Sequence, residues 1–178
     1  MIEVDGINWS EVNHQHFEKF IYYLLAFEGH FYNRMWFGKG GGDKGRDVVA
    51  KTFEKLPFGL AYERKWIFQC KKWATMPDKG AIMNEAFTVM EHKPDYWVLV
   101  IPVDPSPDKI DYFSVIEENA NFKMVVIPLS QIQELLYKYP ELKYVLLNGK
   151  FPDTSAEPLG VKKIEILDEK EPTEGGEV

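Results

Sequence analysis

Residues 95–103 (DYWVLVIPV) form an almost unbroken apolar run. A strand of that kind has no polar face to offer water, so it belongs at the centre of a sheet covered on both sides. The rest of the chain supplies the cover. From about Asn13 to Phe27, Phe17, Phe20, Ile21, Leu24 and Leu25 recur at helical spacing, with Asn13 or Ser10 as cap and Gly29 as terminator. Residues 80–92 suit a second helix whose stripe is Ile82, Met83, Ala86, Phe87 and Met90. Prolines at 102, 105 and 107 interrupt the chain before a helix from about Lys109 to Glu118. LSQIQELLYKY reads as a closing helix with Ser130 as its N-cap.

The strands fall between these helices. HFYNRMWF reads as the first, Arg46–Thr52 as the second, Trp66–Lys72 as the third, and MVVIP as a further short buried strand. Residues 53–65, with Pro57 and Gly59, read as a loop or hairpin excursion. This order predicts an α/β sandwich with a mixed central sheet flanked by helices, in one domain over residues 1–150. Residues 151–178 read as a C-terminal extension: VKKIEIL could add an edge strand, and DEKEPTEGGEV is acidic and expected to be disordered.

At 178 residues and 45% hydrophobic content the chain is long and apolar enough for a real core. No run approaches the roughly 18 apolar residues of a membrane span, and MIEVDGINWS lacks a signal-peptide pattern. The single cysteine, Cys70, excludes an internal disulfide and a cysteine-based zinc site, and a cytoplasmic setting is expected. The net charge of −7 argues against a surface that attracts nucleic acid everywhere. That charge is uneven, however: residues 1–80 are net basic and the remainder strongly acidic.

The basic half also carries the residues with chemistry in them. In GKGGGDKGRD the spacing from Gly40 to Gly45 imitates a phosphate-cradling loop, but Arg46-Asp47 stand where lysine and a hydroxyl are needed. A tight glycine turn explains it better, with Asp43 as a turn residue. Asp47 is open between two readings. Turn aspartates are common, yet Val48, Val49 and Ala50 follow at once and press its carboxylate against a forming core. Gln69 and Lys71 lie two apart on the third strand and project from one face, with Phe68 and Cys70 on the other. They read either as an edge strand's polar face or as part of a site. Glu18 borders the first helix's stripe and reads as solvated. His14 shares its face at i, i+4, but a histidine metal site is not expected there.

Taken in order, FEKFIYYLLAFEG, GGDKGRDVVA and FQCKKW resemble the Mrr-type catalytic domain of restriction endonucleases, within the PD-(D/E)XK nuclease superfamily. The matching pieces are Phe17-Glu18 on a helix, the D-x-G-x-D turn from Asp43 to Asp47, and Gln69-Cys70-Lys71 as QxK, over about residues 10–140. The resemblance implies a restriction-endonuclease-like sandwich with an αβββαβ core and metal-dependent hydrolysis of DNA phosphodiester bonds. It implies Mg2+ as cofactor, with Mn2+ able to substitute. Asp47, Gln69 and Glu18 would be metal ligands, joined by the backbone carbonyl of Cys70, and Lys71 the catalytic lysine.

DNA is the implied partner, with Lys44, Arg46, Arg64 and Lys72 as candidate contacts. A homodimer is expected because cutting both strands needs two sites. No recognition domain is evident, so a separate recognition subunit is a further expectation, and no membrane partner is. The rivals are a catalytically silent nuclease-fold module that binds DNA or protein, and an α/β interaction domain suited to the acidic second half.

Overall fold

A computed structural model describes residues 6–38 and 45–152. Five strands form one sheet in the order β1 (Tyr32–Trp36), β2 (Val48–Lys55), β3 (Ala61–Cys70), β4 (Tyr96–Val100), β5 (Lys123–Ile127). The pairs β1–β2 and β2–β3 are antiparallel, whereas β3–β4 and β4–β5 are parallel. Five helices complete the described residues: α1 (His14–Phe27), α2 (Lys79–Met90), α3 (Pro107–Asn119), α4 (Leu129–Lys138) and α5 (Glu141–Asn148). The mixed sheet between helices is the expected α/β sandwich. None of the described helices is long and apolar enough to cross a membrane.

Side-chain alternation along the strands divides the core in two. Val48, Ala50, Phe68, Cys70, Val98 and Val100 pack with Phe17, Ile21 and Leu24 of α1 and with α4 and α5. Val49, Ile67, Trp97 and Leu99 pack with Ile82, Ala86 and Val89 of α2 and Phe113 and Ile116 of α3. The apolar run over residues 95–103 thus serves both halves, as a doubly covered strand must. Asn13 caps α1, accepting from the backbone N–H of Gln15 at 2.8 Å.

Several expectations give way. The excursion over residues 53–65 is ordered ladder: β2 continues to Lys55 and β3 begins at Ala61, in unbroken register from Val48↔Phe68 to Lys55↔Ala61. Its aromatic residues obscured the strand pattern because they face solvent. Phe58, at the turn, is 99% exposed and has φ 64°, unusual for a bulky side chain. The third strand ends at Cys70, not Lys72, although Lys71 still donates its N–H to Val100 O at 3.0 Å. Among the described strands β5 lies at the sheet edge, and it is only partly buried. On α2, Phe87 is exposed and Val89 takes the buried place instead.

The helix at 129–138 starts without a Ser130 side-chain cap: Pro128 holds that position, and Ser130 N–H donates to Asp104 Oδ1. Helix α5 was not anticipated. Leu142, Val145 and Leu146 bury it against the α1 side, and Gly149 closes it at φ 73°. The edge strand and acidic tail expected beyond residue 152 lie outside the described residues.

Leu99 is fully buried at the sheet centre. Leu99→Ala is expected to cost about 2–5 kcal/mol in urea unfolding, whereas Phe58→Ala should stay within about 0.5 kcal/mol of the parent.

Candidate active site

The site forms where the N-terminus of α1, the start of β2 and the end of β3 meet. Asp47 directly precedes β2 and its backbone is held on both sides. Its N–H donates to Phe68 O at 3.1 Å, and its carbonyl accepts from Phe37 N–H at 3.0 Å. Its side chain turns back onto β3, where Oδ2 accepts the Cys70 N–H at 2.5 Å. Asp47 as a whole is 5% exposed. These contacts are those of an aspartate locked into the sheet, and the turn-residue reading no longer accounts for it.

Glu18 arrives from α1 and is 3% exposed, so the solvated reading of this residue is wrong. Its Oε2 accepts the indole N–H of Trp36 at 2.7 Å, and its Oε1 lies 2.9 Å from His14 Nε2. Donor atoms of His14, Glu18 and Asp47 all fall within 4.8 Å of one another. The i, i+4 spacing that aligned His14 with Glu18 therefore delivers both side chains to Asp47. His14, for which no metal role is expected from the sequence, is thus placed beside Glu18 of its own helix and near Asp47 at the entry to β2.

Gln69 and Lys71 meet through a residue the sequence did not single out. Glu85 of α2 accepts from Gln69 Nε2 at 2.7 Å and from Lys71 Nζ at 2.8 Å. The two side chains do project together, as their spacing requires, and one carboxylate spans them. Glu85 had left a trace in the sequence: it lies on the stripe marked by Ile82 and Val89, an acid among buried residues. Gln69 is 1% exposed and its Oε1 has no hydrogen-bond partner among the described residues. A buried, unsatisfied amide oxygen is costly unless a ligand or water completes it.

Cys70 sits between them with its side chain on the opposite face, fully buried, its Sγ 3.9 Å from Phe17 O. Burial pushes its thiol pKa well up, and the Asp47 and Glu18 charges push it further. Its backbone is the physical link between Asp47 and the Gln69–Lys71 pair.

The candidate DNA contacts are spread out. Arg46 adjoins Asp47 and lies over the Phe37 ring at 4.7 Å. Lys72 donates to Val12 O at 2.5 Å, tying the end of β3 to the segment before α1. Arg64 pairs with Glu54 at 2.8 Å and Asp95 at 3.3 Å. It stands five residues before Gln69, roughly 16 Å along the strand. Lys44 lies outside the described residues.

Two buried carboxylates, an imidazole and an orphaned amide oxygen make a donor set that fits a divalent cation. Fold and site together define a restriction-endonuclease-like α/β protein. The fold is similar to that of the MspJI restriction endonuclease in complex with a 27-mer oligonucleotide, with a TM-score of 0.53 and 13% identity over 85% of this chain. The DNA modification-dependent restriction endonuclease AspBHI is a more distant neighbour, with a TM-score of 0.42 and 13% identity over 83% of this chain. The chain spans 35% of the length of the first and 43% of the second. The restriction endonuclease family profile for the Mrr catalytic domain matches residues 9–135, and the chain belongs to that family. No curated protein sequence matches it.

The buried Cys70 thiol should resist Ellman's reagent in the folded protein and react fully in guanidinium chloride. Rapid reaction of the native protein would contradict the packing of the β3 end.

Proposed function

We propose that this chain is the catalytic part of a divalent-cation-dependent endodeoxyribonuclease that hydrolyses DNA phosphodiester bonds. The observation that carries the reading is the placement of Asp47. In a chain of the restriction endonuclease family, its buried carboxylate is close to Glu18 and hydrogen-bonded to the backbone between Gln69 and Lys71.

Asp47 and Glu18 would hold the cation, with Gln69 Oε1 and the Cys70 carbonyl as further oxygen donors. Mg2+ is the ion that the family resemblance implies, with Mn2+ able to substitute. When bound, such an ion supplies Lewis acidity toward the phosphodiester and the attacking water. The protein's own part is orientation. Trp36 N–H fixes one oxygen of Glu18, and Cys70 N–H fixes one oxygen of Asp47. Lys71 presents an ammonium group that can orient the attacking water and neutralise charge developing on the phosphoryl oxygens. Glu85 keeps that ammonium beside Gln69 until substrate phosphate competes for it.

DNA is the proposed partner, reached in the cytoplasm, with Arg46, Lys44 and Lys72 nearest the site in sequence. Arg64 is the weakest of the proposed contacts, since its charge is engaged by two acids. Cleavage of both strands requires two such sites, hence a homodimer. The greater length of the neighbouring restriction endonucleases leaves room for a recognition unit on a further segment or subunit. Residues 1–150 would be the catalytic unit and 151–178 an acidic extension.

The silent-module reading draws support from one observation, the engagement of Lys71 Nζ by Glu85. Plasmid cleavage with Mg2+ separates the two. The parent protein is expected to cut, and Asp47→Ala and Lys71→Ala each to lower the rate about 100-fold or more. Cleavage indifferent to both changes would sink the site assignment. DNA binding without any cleavage would favour the silent module.

A further inference from the structure

We infer that His14 is a ligand of the cation site and tunes it toward first-row transition ions, Mn2+ among them, in preference to Mg2+. The inference rests on the reading of this site as a cation-binding nuclease centre and refines which cation it takes.

Geometry is the first ground. His14 Nε2 and Glu18 Oε1 are 2.9 Å apart. Two ligands bound to one ion at about 2.1 Å and at right angles are separated by about 3 Å. Asp47 offers a carboxylate oxygen within 4.8 Å of both atoms. The three donors arise from one helix turn and the strand start beside it, so a small closure brings them onto one ion. Half of the His14 side chain is exposed, which leaves its ring open to an ion arriving from solvent.

The local charge balance is the second ground. Glu18 and Asp47 are almost fully buried and close together, so two anionic oxygen donors converge where a cation would gain most from them. His14 Nε2 already lies against Glu18, and Lys71 is paired with Glu85. Gln69 supplies an independent sign of a missing ligand: its buried Oε1 has no partner among the described residues, one residue from the amide that holds Asp47.

Donor type then discriminates between ions. Mg2+ prefers oxygen donors in strict octahedral geometry and gives up water reluctantly. Transition ions gain more from imidazole nitrogen. Had the site offered only Asp47, Glu18, Gln69 and a carbonyl, nothing in it would disfavour Mg2+. His14 is what changes the chemistry.

The test is calorimetric titration of the whole protein with Mn2+ and, separately, Mg2+, in the parent, His14→Ala and Asp47→Ala forms. Pulsed electron paramagnetic resonance of bound Mn2+ accompanies it, to detect a directly coordinated nitrogen. Thermal unfolding confirms that each variant is folded. The parent should bind Mn2+ about tenfold or more tightly than Mg2+ and show nitrogen coupling. His14→Ala should erase the coupling and lower Mn2+ affinity by a larger factor than Mg2+ affinity, removing the Mn2+ advantage.

Absence of nitrogen coupling in the parent, or an unchanged Mn2+ advantage in His14→Ala, would overturn the inference. Those two results leave the proposed nuclease site standing if Asp47→Ala still abolishes binding. A parent that binds neither ion would overturn both.

Discussion

One hydrogen bond organises the site end of this molecule: the Cys70 N–H on β3 donating to Asp47 Oδ2. It works with the Asp47 N–H to Phe68 O bond to close the start of β2 onto the end of β3. A carboxylate accepting a backbone N–H in a nearly dry setting gains more than the same bond in water, and losing the donor would leave a buried charge. The consequence reaches past Asp47. Because Cys70 lies between Gln69 and Lys71, fixing its amide fixes the position from which both side chains leave the strand. Because the Cys70 side chain is buried against Phe17, the same residue also ties β3 to α1, the helix that carries Glu18 and His14.

This design sets acids against a hydrophobic core. Glu18 sits one residue from the fully buried Phe17, and Asp47 one residue from Val48. Each carboxylate has an N–H donor that fixes one of its oxygens, from Trp36 for Glu18 and from Cys70 for Asp47. At the other half of the site Glu85 neutralises Lys71. Local stability given up to hold such groups is what a preorganised reactive centre requires.

The sequence made some of this legible and hid the rest for physical reasons. The apolar run at residues 95–103 declared a doubly covered strand, and helical periodicity located α1 with its Asn13 cap. The QxK spacing correctly placed Gln69 and Lys71 on one face and Cys70 on the other, since strand alternation is local. What failed was long-range. Glu18 read as solvated because its burial depends on Trp36 and β2, and the approach of the His14–Glu18 pair to Asp47 was hidden because Asp47 lies on another segment of the chain. Glu85 escaped because one acid on a helix stripe is silent until the strand it faces is known. Residues 53–65 read as an excursion because a hairpin projecting beyond its sheet shows aromatic residues to solvent, where alternation carries no inside-out signal.

The central claim is that Asp47 and Glu18 share a cation. Crystals grown with Mn2+ and measured at an energy where manganese scatters anomalously test it directly. An anomalous peak within about 2.5 Å of both carboxylates is the result this account requires. A peak elsewhere, or none at saturating Mn2+ with both side chains ordered as described, would contradict it.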